Sequence, residues 1–219
     1  MNELDTVAIK EEAASAAEQD GDLRSKVREI TVRALSQRSL SVSEISAVVG
    51  SVTEGVSLGL SRRAGEIKHA VSDALSGLDE ALKKAAESTK LAAQQMASQG
   101  KEFGAQDLKP ALDDFKKMEE MFLSTVSSVS AAAGGRIKEE FTSQLTHLRR
   151  NGTDSGRVVA ATVAEFSHSA GASVKNGVQQ TASAAKEVKQ RLMLLASGLL
   201  AGMADALHEK AKPGERKAP

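Results

Sequence analysis

The sequence contains no cysteine, no tryptophan and no tyrosine, and each absence excludes a kind of chemistry or of packing. Without cysteine the chain has no disulfide, no thiolate nucleophile and no cysteine-ligated metal. Only five phenylalanines supply aromatic surface, and alanine dominates the 41% of residues that are hydrophobic. Because an alanine buries far less area than a leucine, at about 25 cal/mol per Å² the composition predicts thin seams between helices rather than a thick core.

Proline is almost absent from the body of the chain, where only Pro110 precedes the C-terminal pair Pro213 and Pro219. A chain with so few helix breakers is free to form long, uninterrupted helices. Hydrophobic runs are short as well, since none reaches the ~20 residues of a membrane span, and the start Met-Asn-Glu-Leu-Asp is acidic where a signal peptide is basic. We therefore expect a soluble, cytoplasmic protein.

Neither sign of charge is in excess, because 29 Lys and Arg residues balance 29 Asp and Glu residues. The chain has no global field to attract nucleic acid and no basic stripe with stacking aromatics, so nucleic acid is not an expected partner. The two ends are locally unbalanced, acidic at the N-terminus and basic after residue 210. We expect a disordered acidic segment over 1–20 and a flexible basic tail over 211–219.

Apolar residues recur every three or four positions along the rest of the chain, which is the spacing of amphipathic helices. A short first helix is expected over about 22–37. A second begins at a capping box, in which the Ser41 hydroxyl and the Glu44 carboxylate satisfy free N–H groups of the first turn. Its apolar stripe then continues without a phase break, which predicts one helix over 42–99 that is about 80 Å long.

The same spacing predicts a third helix over 108–150 and a fourth over 154–209. Short connections between long helices favour antiparallel neighbours. The expected fold class is all-α: an elongated antiparallel bundle of three long amphipathic helices plus a short N-terminal helix, within residues 21–210. Three places where a long helix could break stay open at this stage: Gly59, Gly100 and Gly134-Gly135.

Two Glu-x-x-His motifs, Glu66 with His69 and Glu165 with His168, are the one ligand-like pattern in the chain. One such motif on each of two helices, plus a glutamate from each of two others, is the ligand set of di-iron bundle proteins. At 100° per residue, both motifs lie more than ~120° from the centre of the apolar stripe of their own helix, so they point outward. We expect no metal site, no cofactor and no catalytic residue, and a di-iron bundle enzyme is only a remote alternative.

Glycines at positions i and i+4 mark two places where helix backbones can approach closely: Gly55 with Gly59, and Gly198 with Gly202. Tight packing inside the bundle explains such pairs most simply. The second pair lies in a segment, 192–204, that has one polar residue and charged residues on both sides. It is too short to span a bilayer but suits an interfacial helix, or the most buried end of a bundle or oligomer. The predicted contact residues of this segment are Leu192, Leu195, Gly198, Leu199, Gly202 and Met203.

Two stretches are distinctive: Ala47 to Ala92, with Val-Thr-Glu-Gly-Val-Ser-Leu-Gly at 52–59, and Leu194 to Ala211, with Leu-Leu-Ala-Ser-Gly-Leu-Leu-Ala-Gly-Met at its start. They resemble a bacterial family of long-helical proteins that has no established activity, and the similarity covers most of the chain after residue 20. In periodicity and alanine content the chain also resembles phasins, which coat polyhydroxyalkanoate granules, and exchangeable apolipoproteins, whose amphipathic helices cover lipid.

These likenesses imply a non-enzymatic protein that coats or associates with an apolar surface, either a storage granule or a membrane interface, at which it would be peripheral. The stripes of the three long helices would be the contact faces, since thin alanine and valine seams lose little on opening. A self-associating structural scaffold is the alternative, in which the stripes pack permanently and bundles pair through segment 192–204. Self-association into a homo-oligomer is expected.

Overall fold

The computed structural model describes residues 3–19, 21–63, 65–98, 113, 115–172 and 182–211, and these residues are helical almost throughout. The all-α class is confirmed, with no strand in the described part of the chain. The long helices of the predicted bundle are divided into shorter ones. In chain order the described helices are α1 (Glu3–Glu18), α2 (Leu23–Ser36), α3 (Val42–Arg62), α4 (Ile67–Ser98), α5 (Met118–Ala132), α6 (Gly135–Asn151), α7 (Asp154–Ala172) and α8 (Ala182–Ala211).

Helix α1 occupies most of the N-terminal segment for which composition predicted disorder. Its alanines, Ala13, Ala14 and Ala17, are buried against α3 at the two glycines Gly55 and Gly59. A Cβ on Gly59 would lie 2.2 Å from the carbonyl oxygen of Ala14, so the two backbones are in direct contact. The small alanine side chains of α1 permit this close approach. The resulting contacts between the two backbones compensate for the small apolar area that each alanine buries.

Ion pairs show how α1 lies against its neighbours. Lys10 Nζ is 2.8 Å from Glu54 Oε2, and Arg62 Nη1 is 2.7 Å from Glu18 Oε1, so α1 and α3 run in the same direction with a constant offset in sequence. Against α2 the order reverses, because Glu12 pairs with Arg33 near the end of that helix, and Asp5, earlier in α1, lies 3.6 Å from Arg38 beyond that end. Helices α1 and α2 therefore form an antiparallel hairpin that packs on α3 and α4.

The second predicted helix, 42–99, is a hairpin of two helices. Helix α3 ends at Arg62, the next residue is extended, and α4 begins at Ile67. Ile45, near the start of α3, lines the same small cavity as Ala85 of α4, so the chain reverses between the two helices. Because Leu60 and Ile67 are seven residues apart, which is about two turns, the hydrophobic spacing passes across the break without a change of phase. Periodicity alone could not reveal this break. Of the other open positions, Gly59 is inside α3 and Gly100 lies outside the described residues.

The N-terminus of α3 is capped by Ser41, whose Oγ accepts a hydrogen bond from the backbone N–H of Glu44 at 3.3 Å. The carboxylate of Glu44 turns to the α2–α3 connection, where its Oε2 lies 3.7 Å from Arg38 Nε. The two residues of the predicted capping box thus fix both the start of α3 and the loop before it.

The third predicted helix, 108–150, breaks at the double glycine. Helix α5 ends at Ala132 and α6 begins at Gly135, whose φ of 51° lies in the left-handed region that favours glycine. The predicted start at 108–110 lies outside the described residues. At the other end, Gly152 has φ 75° and donates its N–H to the carbonyl of Leu148 at 2.8 Å, which caps α6.

The fourth predicted helix, 154–209, is represented by α7 and α8, and these two are not collinear. Glu165 of α7 lies 2.9 Å from Lys90 of α4. Leu192 of α8 lines the same small cavity as Thr89, the residue next to that lysine. A straight helix would separate residues 165 and 192 by about 40 Å, so α7 and α8 lie side by side on α4 instead. The basic tail, apart from residue 211, lies outside the described residues.

Helix α4 is the central element, because it contacts α2, α3, α6, α7 and α8. Its apolar stripe, which was expected to provide part of a surface-contact face, is buried in the bundle from Val71 to Met96. The members of that stripe that lie in the core are Val71, Leu75, Leu78, Leu82, Ala86 and Met96. Among the described helices, none is both long enough and apolar enough to cross a membrane.

Candidate association surface

Helix α8 packs on the bundle through one of its faces. Val188, Leu192, Ala196 and Leu200 follow each other at every fourth position and are buried against α4 and α2. Ser197 fixes the rotation of the helix, since its Oγ lies 2.9 Å from the carbonyl oxygen of Ser36 and 2.8 Å from that of Arg38. Buried leucines together with this polar anchor show that α8 is a docked part of the fold.

The opposite face of α8 is uncovered. We call Leu194, Leu195, Gly198 and Gly202 the open face. Leu194 is 68% exposed and Leu195 is 37% exposed, while no heavy atom lies within 4 Å of the Cβ position of either glycine. Leu194 is the most exposed large hydrophobic residue in the described part of the chain. The open face is therefore an apolar surface with two gaps, one at each glycine, where no side chain covers the helix backbone.

The structure separates the six predicted contact residues of segment 192–204. Leu195, Gly198 and Gly202 lie on the open face, whereas Leu192 is buried beneath it. Leu199 and Met203 are half-buried at its edge. Leu194 was missed because an apolar run of this density has no polar face, so helical periodicity could not show which side would dock on the bundle.

The two glycine pairs with the same spacing have opposite surroundings. A Cβ on Gly55 would lie 2.2 Å from the carbonyl oxygen of Lys10 and 2.7 Å from the side chain of Ala13. A Cβ on Gly198 or Gly202 would have no heavy atom within 4 Å. The first pair is thus used inside the bundle, and the second pair offers the same kind of close approach to a helix outside it.

Charged side chains border the open face at its two ends. Arg191 is exposed one turn before Leu194, and its Nη2 is 3.0 Å from Glu187 Oε1 on the same helix. Asp205 is exposed about one turn beyond Gly202. The apolar face therefore has a cation at its N-terminal end and a carboxylate at its C-terminal end.

The Glu-x-x-His motifs point away from the core where their side chains are described. Glu66 and His69 are both strongly exposed, with 3.9 Å between His69 Nε2 and Glu66 Oε1. The carboxylate of Glu165 binds Lys90 and Gln94, and the side chain of His168 lies outside the described residues. The described residues include no group of three or more His, Asp or Glu side chains placed to hold a metal ion.

A pH-dependent contact between α7 and α4 follows from the surroundings of Glu165. A hydrogen bond from Gln94 at 2.8 Å, followed by the interaction with Lys90, holds the pKa of this carboxyl below its ordinary value of 4.5. A carboxylate whose pKa is lowered by folding stabilises the folded state above the unfolded pKa, and this contribution is lost as the pH falls through the folded pKa. We expect Glu165→Gln to reduce stability at neutral pH by no more than about 1 kcal/mol, because the site is half-exposed.

Urea unfolding of the wild type and of Glu165→Gln along a pH series measures this difference. The two stabilities should converge as the pH falls below 4.5. A difference that grew in acid would contradict the assignment.

A buried polar cluster caps the N-terminus of α7. Asp79 of α4 accepts hydrogen bonds from the backbone N–H groups of Asp154 at 2.8 Å and Ser155 at 3.0 Å, and from Ser155 Oγ at 2.6 Å. Glu119 of α5 accepts from the N–H and the hydroxyl of Thr153 at 2.9 and 2.7 Å. Two carboxylates thus occupy the positive end of the helix dipole, and they tie α7 to α4 and α5. Their partners are distant in sequence, so no local pattern could predict the cluster.

A wide groove lies between α3 and α5. It has a volume of about 700 Å³ and is lined by serines and apolar side chains, with Leu58, Val129 and Ile137 among them. Lys10 and Glu54, which pair with each other, are the charged residues of its lining. Because its two charged residues pair with each other, this groove has the character of a seam between helices rather than of a ligand site.

The described helices and the open face of α8 define an all-α bundle protein with an uncovered apolar helix face. The chain belongs to a family of unknown function, DUF6781, whose sequence model matches residues 1–209. The resemblance to a family without an established activity is therefore confirmed, while the likeness to phasins is one of pattern. Comparison with curated proteins and with solved structures returns no match.

Proposed function

We propose that the protein is a non-enzymatic helical protein that works by apolar association, and that the open face of α8 is its contact surface. The observation that carries the proposal is the exposure of Leu194 beside two uncovered glycines, on a helix whose other face is firmly docked. Such an arrangement leaves apolar area in water unless something covers it.

The long apolar stripes are less suited to the role that the sequence suggested for them. In the folded chain they form the core, with Val49, Val52 and Leu82 fully buried. Presenting them to a surface requires the bundle to open, and every leucine that leaves the core loses roughly 1.5–3 kcal/mol until it is covered again. The open face of α8 is accessible without any such step.

An apolar surface, either a storage granule or a membrane interface, is the first candidate for what covers the open face. Lys186 and Arg191 are exposed at the N-terminal end of the face, where cations suit anionic headgroups. Burial of Leu194 and Leu195 provides at most roughly 3 kcal/mol each, so we expect reversible, peripheral binding.

A self-associating scaffold is the second candidate, and the glycines favour it. On a lipid surface Gly198 and Gly202 contribute almost no apolar area. Against another helix, the same two positions allow backbone contact over their uncovered Cβ sites.

The substitution pair Leu194→Asp with Leu195→Asp tests the proposed contact surface. The wild type is first assayed for co-sedimentation with anionic phospholipid vesicles, for co-sedimentation with polyhydroxyalkanoate granules and for self-association. We expect the association that it shows to fall at least tenfold in the double variant, because two carboxylates replace the apolar area of the face. Helicity and melting temperature should stay near those of the wild type, since the open face supports no part of the core.

Leu91→Asp is the matched control, because Leu91 is an equally large hydrophobic residue, 45% exposed, on α4. It should retain the association of the wild type. If the wild type neither pelleted with vesicles or granules nor associated with itself, the proposal would be wrong.

A further inference from the structure

We infer that the open face of α8 is covered by α8 of a second copy of this chain, with the two helices antiparallel about a twofold axis at Gly198. The inference rests on the proposed function, because it names the partner of the same face. Three features of the face carry it: the position of its gaps, the order of its charges and its size.

The uncovered Cβ positions of Gly198 and Gly202 make the open face complementary to a second copy of itself. In an antiparallel pair centred on Gly198, residues at equal distances before and after this glycine lie at the same height. Leu194 of one copy therefore lies beside the partner's Gly202, and the reverse holds by symmetry. The largest exposed side chain of the face thus meets the position over which no atom lies within 4 Å. Gly198 lies on the axis itself, where the two backbones come closest.

The charges at the ends of the face select the antiparallel orientation. Arg191 and Asp205 are each seven residues from Gly198, about two turns in opposite directions. Antiparallel pairing brings Arg191 near the partner's Asp205 at both ends of the contact. Parallel pairing would place arginine against arginine and aspartate against aspartate. A guanidinium has five N–H donors, so Arg191 can keep Glu187 on its own helix and still reach the partner's carboxylate.

The size of the contact predicts a weak dimer. The stretch from Arg191 to Asp205 is about 21 Å long and only one helix wide, so it covers much less than the roughly 800 Å² per partner of a standard stable complex. We therefore expect sedimentation equilibrium to show monomers at low concentration and dimers at high concentration.

Disulfide trapping tests the register, and the chain is well suited to it because it contains no cysteine. When the axes of two helices lie 8–10 Å apart, the two Cα atoms beside the twofold axis are about 4–5 Å from each other, which is within disulfide reach. Gly198→Cys should therefore cross-link to its own copy under mild oxidation. Leu194→Cys and Gly202→Cys should cross-link to each other when the two variants are mixed. Neither variant should cross-link to its own copy, since the same residue of the two copies is about 12 Å apart along the helix axis.

The glycine variants leave the monomer intact, because a Cβ at either position enters open space. Leu91→Cys, on the exposed side of α4, sets the background from random collisions. Self-cross-linking at 194, 198 and 202 alike would indicate parallel helices and overturn the inference. Cross-linking no higher than that of Leu91→Cys would overturn it as well, and vesicle and granule binding would then decide separately whether the proposed function stands.

Charge reversal gives a second readout of the orientation. Arg191→Asp should raise the dimer Kd by no more than about fivefold for each of the two ion pairs. Combining it with Asp205→Arg should restore the Kd, because the pairs re-form with exchanged signs. A double variant no tighter than the single one would contradict the antiparallel register.

Discussion

Replacing Gly55 and Gly59 with alanine together is expected to lower the free energy of unfolding by about 2–5 kcal/mol. Each new methyl group would stand 2.2 Å from a carbonyl oxygen of α1, at Lys10 and Ala14 respectively. A backbone atom cannot turn aside as a flexible side chain does, so α1 has to move away from α3. The alanines of α1 then lose the close contact that holds this helix to the bundle.

Urea unfolding followed by circular dichroism measures the loss, and hydrogen exchange shows whether α1 is the part that is released. Gly198→Ala with Gly202→Ala is the matched control, with the same substitution at the same spacing but over open space. This control should be unchanged in stability or gain up to about 1 kcal/mol for each position, because alanine is the better helix former. Equal effects of the two pairs would contradict the α1–α3 packing.

Asp79→Ala is expected to destabilise the fold by about 2–4 kcal/mol. The carboxylate accepts hydrogen bonds from two backbone N–H groups and one hydroxyl at the start of α7, and the site is buried. Removing it leaves these donors without their acceptor and takes a negative charge from the positive end of the helix. Hydrogen exchange should accelerate first in the opening turn of α7.

Two further variants separate the cap from a general effect of charge. Asp79→Asn keeps one carbonyl oxygen as an acceptor and should lose less stability than the alanine variant. Asp73→Ala removes an exposed carboxylate of the same helix and should be nearly neutral. The capping role would be excluded if Asp79→Ala and Asp73→Ala unfolded at the same urea concentration.

Helical periodicity predicted the class of the fold and the positions of many core residues, because the 3.6-residue repeat of apolar side chains is a local property. The capping box also located the start of α3 at Ser41, since a cap depends on residues only a few positions away. Periodicity did not reveal the hairpin between α3 and α4, because the apolar repeat is a local property. Two turns of chain between Leu60 and Ile67 preserve the phase, whether they continue a helix or reverse it.

For α1 the composition was misleading. An acidic, alanine-rich segment has too little apolar area to fold alone, and only the glycines of α3 make its small side chains sufficient. The buried Asp79 and the half-buried Glu119 likewise depend on a turn that reaches them from far along the chain. Neither feature could be read from the segment in which it occurs.

The sequence by itself determined that this protein is helical, that it lacks cysteine chemistry, and that segment 192–204 is dense in apolar residues. Only the tertiary structure decided which face of that segment is open. Gly55 with Gly59 and Gly198 with Gly202 have the same spacing, yet one pair is filled by α1 and the other faces solvent. The reason is that a local pattern specifies which surfaces can pack closely, whereas the path of the rest of the chain decides which of them are covered.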